Sequence, residues 1–181
     1  MSRETAPADP SEIRIGHGFR DGLIGRVVEL HALYYAPTWG FGLPMEIAMA
    51  QGLAELAGRY DPERDRILWS EVAGRVVGSI TVDGQDACER GARIRWFILD
   101  TGLHGRGIGG RLVEAALAFC RQRGYPRVHL HTLEGLRAAV TLYRRAGFAE
   151  RGTTRMALWE TELDVLEMEL DLQREAERRP R

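Results

Sequence analysis

A glycine-rich turn between a predicted strand and a predicted helix restricts the fold more than any other feature of the sequence. Strand-forming residues at 93–100 are followed by Thr-Gly-Leu-His-Gly-Arg-Gly at 101–107, and a helical apolar stripe begins at Ile108. Glycines let the backbone approach a bulky anion and point several N–H groups at it, while a helix N-terminus adds about half a positive charge. The turn therefore predicts a binding site for a pyrophosphate group.

Two other phosphate-binding folds share part of this pattern. Gly105, Gly107 and Gly110 also satisfy G-x-G-x-x-G, the pattern of the dinucleotide-binding domains of oxidoreductases. In those domains the turn follows the first strand, and an acidic residue lies about 20 residues further on. Here the turn lies past the midpoint of the 181-residue chain, and the next strand contains His129 and His131 instead of an acid. A P-loop is excluded because the chain contains no lysine.

Hydrophobic periodicity predicts the element order βααβββαβαββ. The two early helices are predicted over 21–35 and 46–59, and a hairpin is predicted over 66–82. Because a strand-helix-strand crossover follows the antiparallel hairpins, the sheet should be mixed and covered by helices on both faces. The predicted fold class is α/β, with a central mixed sheet of six to seven strands.

One globular domain is predicted over residues 12–172, with flexible ends at 1–11 and 173–181. The chain has no apolar run long enough to cross a bilayer, and its start lacks the apolar stretch of a signal peptide. We therefore expect a cytoplasmic protein. The formal net charge of -1 gives no reason to expect a nucleic-acid or membrane partner.

Two motifs together resemble the GNAT N-acetyltransferases. The run His104-Gly105-Arg106-Gly107-Ile108-Gly109 is similar to the family's Arg/Gln-x-x-Gly-x-Gly/Ala turn, with a histidine at the first position. The run from Ala139 to Phe148 is similar to the family's Ala-x-x-Leu-Tyr-x-x-x-Gly-Phe, and Leu136 replaces an asparagine that often precedes it. The resemblance spans most of the chain, and the layout is similar to the acetyltransferase half of bacterial MarR regulator fusions.

This resemblance implies a transfer of acetyl from acetyl-CoA to a primary amine by direct attack, without a metal. A backbone N–H in the segment of Phe97, Ile98 and Leu99 would polarise the thioester carbonyl, and Tyr143 would donate a proton to the departing thiolate. The position of Tyr143 also fits an aromatic core residue of an amphipathic helix, without a role in catalysis. Besides these residues, the implied cofactor site contains His104, Gly105, Arg106, Gly107, Ile108, Gly109, Gly110 and Arg111.

A base must remove a proton from the amine, and His131 is the first candidate. His129 and His131 lie two residues apart on a predicted strand and so share a face. Two ordinary surface or half-buried histidines would give the same pattern, and no third ligand suggests a metal. Glu71, on the predicted hairpin, is the alternative base, acting through water.

The acceptor pocket is predicted at the turn-rich stretch 37–43. Trp39 and Phe41 would form apolar walls, its glycines would permit movement, and Tyr34 and Tyr35 would contribute. A loop that only covers the core is an equal alternative.

The competing function is a catalytically idle domain that binds acyl-CoA as a sensor or pairs with a partner protein. His104 and Leu136, the two departures from the family motifs, keep this alternative open. A homodimer is compatible with such a domain, although no residue singles out an interface.

Overall fold

The computed structural model describes residues 13–174. The predicted flexible start, 1–11, and the tail from residue 175 onward lie outside the described residues. The elements in chain order are β1 Arg14–His17, α1 Leu23–Trp39, α2 Leu43–Arg59, β2 Arg66–Val72, β3 Arg75–Asp83, α3 Ala87–Arg90, β4 Ala92–Leu99, α4 Ile108–Gln122, β5 Arg127–Leu133, α5 Arg137–Arg145, β6 Ala149–Leu158 and β7 Thr161–Asp171.

The strands form one seven-stranded sheet in the order β1-β2-β3-β4-β5-β7-β6. Only β4 and β5 are parallel, and every other neighbouring pair is antiparallel. This mixed sheet is confirmed, and so is the predicted element order apart from one short helix. The short helix α3 was not predicted, because its four residues are too few for a helical period to show.

The end of α1 differs from the prediction. The helix was expected to stop at residue 35, but it continues through Pro37 to Trp39. A proline removes only one backbone hydrogen bond in a last turn, and Gly40 then ends the helix with a left-handed φ of 69°. The predicted bounds of the loop, 37–43, are therefore wrong: only residues 40–42 separate the two helices, since α2 begins at Leu43.

Helices cover both faces of the sheet. The buried stripe of α4 and the inner side of α5 pack on one face, where Ile94, Leu130 and Met168 lie side by side on β4, β5 and β7. Helices α1 and α2 pack on the other face. Cys120 of α4 belongs to the first core, and burial raises the pKa of its thiol to about 12, which suits a structural cysteine.

A buried carboxylate joins α2, β3 and β4 near one end of the sheet. Asp83 accepts hydrogen bonds from Arg59 at 2.7 Å and from Arg95 at 3.0 Å. Its backbone neighbour Gln85 donates a further N–H to it at 3.2 Å. Burial opposes ionisation of Asp83, but these hydrogen bonds outweigh it and lower the carboxyl pKa.

Replacing Asp83 should test this junction. Asp83→Ala leaves Arg59 and Arg95 without their shared carboxylate, and we expect a loss of about 3 kcal/mol in the free energy of unfolding. Urea titration monitored by circular dichroism measures it. The matched control is Glu114→Ala, which removes an exposed partner of Arg121 and should cost less than about 1 kcal/mol. Equal losses in the two variants would show that the junction is no stronger than a surface pair.

Candidate functional site

The parallel strands β4 and β5 separate soon after they begin. They pair only from Ala92 with Val128 to Ile94 with Leu130, although β4 continues to Leu99 and β5 to Leu133. Beyond that point the backbone groups that face the gap have no strand partner. Buried backbone N–H and C=O groups need a partner, so this gap can accept a ligand that hydrogen-bonds like a strand.

A bulge in β4 lies at the start of the gap. Trp96 has a φ of 47°, which is unusual for a bulky residue, and the β3–β4 register shifts opposite it. Arg95 and Trp96 consequently both face α2: the Arg95 guanidinium lies 4.0 Å from the Trp96 ring centroid, and a Cβ on Gly52 would be 2.9 Å from that ring. The bulge turns Phe97 to the other face.

The glycine turn leads from β4 to α4. Asp100 accepts the N–H of Gly102 at 3.0 Å, and Gly105 and Gly107 have left-handed φ values of 77° and 78°. Helix α4 then begins at Ile108 with no side-chain cap, so the first amides of this 15-residue helix remain available. Available amides at a helix N-terminus form an anion site.

His104 ties the turn to β4. Its Nε2–H donates to the carbonyl oxygen of Leu99 at 3.1 Å, and its ring centroid lies 6.2 Å from that of Tyr34 on α1. The imidazole therefore fixes the turn against the strand end.

Tyr143 lies on α5 with its ring buried between Phe97 and Phe148, at centroid distances of 5.9 and 5.7 Å. The side chain is 5% exposed, and its oxygen is neither hydrogen-bonded within residues 13–174 nor among the fully buried atoms that lack a partner. The small exposed part therefore includes the hydroxyl. Burial, followed by the proximity of Tyr35, raises the pKa of this phenol, so it stays protonated at neutral pH.

His129 and His131 share one face of β5, the face opposite the α5 side on which Tyr143 packs. They lie across from Glu169 and Glu167 of β7. Desolvation and then the charge of Arg93 lower the pKa of both imidazoles, so both are neutral at pH 7. The structure thus does not place His131 beside Tyr143, but it leaves an exposed, neutral imidazole on the opposite face of the sheet.

Glu71 lies two strands away from β4, on β2. Its carboxylate is paired with Arg14 and Arg20. The hydrogen bond from Arg20 is the main reason that the pKa of Glu71 is lowered, which makes this group a poor proton acceptor.

The four residues predicted for the acceptor pocket lie together. Tyr34 contacts Tyr35 at 4.9 Å, Tyr35 contacts Phe41 at 5.6 Å, and Trp39 contacts Phe41 at 5.8 Å between ring centroids. Sequence reasoning missed a fifth member, Trp159 in the β6–β7 turn, whose ring lies 5.1 Å from that of Phe41. Nothing in its local sequence signalled this contact, since the two residues are far apart in the chain. These five side chains are called the aromatic cluster below.

His31 is a second residue that was not predicted for the site. It is 4% exposed on the inner side of α1, its Nδ1 lies 2.8 Å from the carbonyl oxygen of Val27, and its ring stacks at 6.1 Å on Tyr35. Because a carbonyl only accepts, Nδ1 carries the hydrogen. Burial lowers the imidazole pKa to about 4, so the ring is neutral at pH 7.

A separate cavity of about 760 Å³ lies between the outer side of α5 and strands β6 and β7. Trp39 and Leu133 reach its edge, but neither Tyr143 nor the glycine turn lines it. Most of its charged side chains are paired with each other, as in the Arg144–Glu150 and Arg155–Asp164 pairs. It is thus distinct from the gap.

Residues 13–174 contain no helix long and apolar enough to cross a membrane. Within the same residues, no three His, Cys, Asp or Glu side chains are grouped so that they could hold a metal ion.

Comparison with known proteins identifies a matching family. Residues 25–148 match the model of the acetyltransferase (GNAT) family. Human N-acetyltransferase 8B is 26% identical over 141 residues, which are 75% of this chain and 62% of the human protein. The chain therefore spans less than two thirds of the length of this relative.

Two solved structures have the same fold. Ribosomal-protein-alanine N-acetyltransferase from Brucella melitensis is similar with a TM-score of 0.68 at 20% identity, covering 87% of this chain and 99% of that one. Spermidine N-acetyltransferase from Vibrio cholerae, in complex with CoA and spermine, also gives 0.68 at 20% identity, covering 90% and 97%. Identities this low show the fold alone.

The neutral state of His31 predicts a pH effect on stability. The unfolded imidazole binds a proton near pH 6.5 and the folded one only near 4, so the unfolded chain gains stability as the pH falls through this window. Between pH 7 and pH 5 the wild-type protein should lose about 2 kcal/mol more than His31→Phe. Urea unfolding of both proteins at both pH values measures the difference. Parallel losses would show that His31 titrates normally in the fold.

Proposed function

The chain belongs to the acetyltransferase (GNAT) family, and on this basis we propose that it transfers an acetyl group from acetyl-CoA to a primary amine. The observation that carries the proposal is that three structural features lie close together. The uncapped start of α4 and the unpaired edge of β4 lie beside the gap, and the ring of Tyr143 packs against Phe97 of that edge. An anion site, a row of backbone donors and a proton donor are the three parts that thioester chemistry needs.

The residues present fit coenzyme A. Backbone amides from Gly105 to Gly110 hold its diphosphate, because the left-handed glycines expose them and no side chain caps the helix. Arg106 and Arg111 add positive charge. The pantetheine arm pairs with the β4 edge at Phe97, Ile98 and Leu99, where one N–H polarises the thioester carbonyl.

Tyr143 donates a proton to the thiolate that leaves. Its raised pKa keeps the phenol protonated until the carbon–sulfur bond breaks. Acetyl-CoA supplies an activated acyl carbon, so the amine attacks directly and no covalent enzyme intermediate is required.

For the base, His131 is preferred over Glu71. The imidazole of His131 is neutral at pH 7 and exposed, whereas the carboxylate of Glu71 forms ion pairs with Arg14 and Arg20. His131 lies on the face of the sheet that α1 and α2 cover, away from Tyr143.

The acceptor amine enters beside the aromatic cluster. The partly buried rings of Tyr34, Tyr35, Trp39 and Trp159 offer apolar contact to its carbon skeleton, and the buried ring of Phe41 packs behind them. The similar structures are named for spermidine and for a ribosomal-protein alanine, so a polyamine and an alanine-containing peptide both belong in the first test.

The competing interpretation, an idle acyl-CoA sensor, gains no support from the comparisons. That interpretation rested on His104 and Leu136, the two departures from the family motifs. His104 has a structural function in the turn, and Leu136 is a buried residue that packs beside α2. A cytoplasmic location, homodimer formation and the similarity to MarR fusions stay predictions.

The proton-donor role predicts a specific kinetic loss. With acetyl-CoA and the best acceptor of an amine panel, Tyr143→Phe should lower kcat by about 100-fold while leaving the Kd for acetyl-CoA unchanged. Thiol release and calorimetry measure the two quantities. The control is Tyr125→Phe, which loses a 2.7 Å hydrogen bond to the Arg64 carbonyl far from the gap and should keep full turnover. Normal turnover by Tyr143→Phe would remove Tyr143 from this role.

The two ends of α4 offer a matched test of the diphosphate site. Gly107 and Gly124 have left-handed φ values of 78° and 71°, and an added Cβ at either would meet no atom within 4 Å. Valine therefore brings similar backbone strain at both positions. Gly107→Val should weaken acetyl-CoA binding at least about tenfold in calorimetry, whereas Gly124→Val should change it less than about twofold. Similar Kd values for the two variants would contradict binding at the helix N-terminus.

A further inference from the structure

His31 is a buried imidazole that the mechanism above does not use. Two other residues of α1 fix where it lies. Arg26, five residues earlier, donates to the Val76 carbonyl at 2.8 Å and comes within 3.9 Å of Asp100, which directly follows β4. Tyr34, three residues later, lies 6.2 Å from His104 in the glycine turn. Helix α1 packs against β3 and β4, so His31 lies between these two points, over the C-terminal part of β4.

The orientation of the imidazole is fixed by its own helix. Nδ1–H donates to the carbonyl of Val27, so Nε2 carries a lone pair and can only accept. Nε2 has no hydrogen-bond partner within residues 13–174, and it is not among the fully buried atoms that lack one. The side chain is 4% exposed, and that small part therefore includes Nε2.

The surroundings of His31 connect it to the reaction site. Its ring stacks on Tyr35, which belongs to the aromatic cluster and is close enough to Tyr143 to raise the pKa of that phenol. The accessible nitrogen thus lies among the proposed acceptor pocket, the end of β4 and the proposed proton donor. A charged imidazolium could not accept a hydrogen bond there, and burial keeps the ring neutral.

We propose that Nε2 of His31 accepts a hydrogen bond from the attacking nitrogen of the amine and so turns the nitrogen lone pair toward the thioester carbon. This role rests on the proposed function and adds a side chain that orients the acceptor. The nitrogen–carbon bond forms and the carbon–sulfur bond breaks as before. Sulfur takes its proton from Tyr143, and the proton lost by nitrogen goes to water. No proton moves onto His31.

One test needs no acceptor. In ¹⁵N spectra of imidazole-labelled protein at pH 7, His31 should be the Nδ1–H tautomer with an unprotonated Nε2. His31→Phe assigns the resonance. An Nε2–H tautomer would overturn the proposal, because a nitrogen that carries hydrogen cannot accept the hydrogen bond of the amine. Failure to bind acetyl-CoA would instead contradict the proposed function, and with it this role.

The kinetics of two variants distinguish an effect of His31 on the orientation of the amine from an effect on the packing of the site. His31→Phe keeps a ring to stack on Tyr35 but has no acceptor, while His31→Gln keeps an acceptor oxygen. With the better of spermidine and an alanine-terminated peptide, we expect kcat/KM for the amine to fall about tenfold in His31→Phe and markedly less in His31→Gln. The Kd for acetyl-CoA should not change in either variant.

Two kinetic outcomes would count against the role. An unchanged kcat/KM in His31→Phe would show that Nε2 does not contact the amine. Equal losses in both variants would show that His31 acts through packing alone.

Discussion

The early separation of β4 from β5 is the constraint on which the rest of the structure depends. The strands share only three residue pairs, so the later part of β4 presents backbone N–H and C=O groups to a gap inside the sheet. Such groups are costly to leave unpaired away from water, and an amide-containing ligand arm can satisfy them. The Trp96 bulge redirects the strand at this point, and Asp83 holds Arg95 just before it.

The gap joins two chemically different faces of the sheet. On one face, α4 begins with free amides, and α5 places the phenol of Tyr143 against Phe97. On the other face, α1 carries His31 and the tyrosines of the aromatic cluster. The cofactor and the acceptor can therefore approach from opposite sides and meet at the end of β4.

The sequence predicted features that depend on local patterns. The glycine turn, the element order and the mixed sheet follow from periodicity and turn residues, which neighbouring positions determine. Features that depend on distant contacts were missed: Trp159 meets Phe41 only after the sheet forms, and the bulge at Trp96 needs Gly52 of α2 to make room for the ring. Glu71 was a reasonable base in sequence, but folding brings Arg14 and Arg20 to its carboxylate. The predicted end of α1 was wrong because a proline in the last turn removes one backbone hydrogen bond but does not end the helix.

Backbone hydrogen exchange, compared with and without acetyl-CoA, tests the central claim most directly. Amides without a hydrogen-bond partner exchange quickly, and a ligand that binds them slows their exchange. The account predicts protection concentrated at 97–99 and at 105–110, the two segments that border the gap. Protection confined to the cavity beside α5, or no protection at saturating acetyl-CoA, would contradict it.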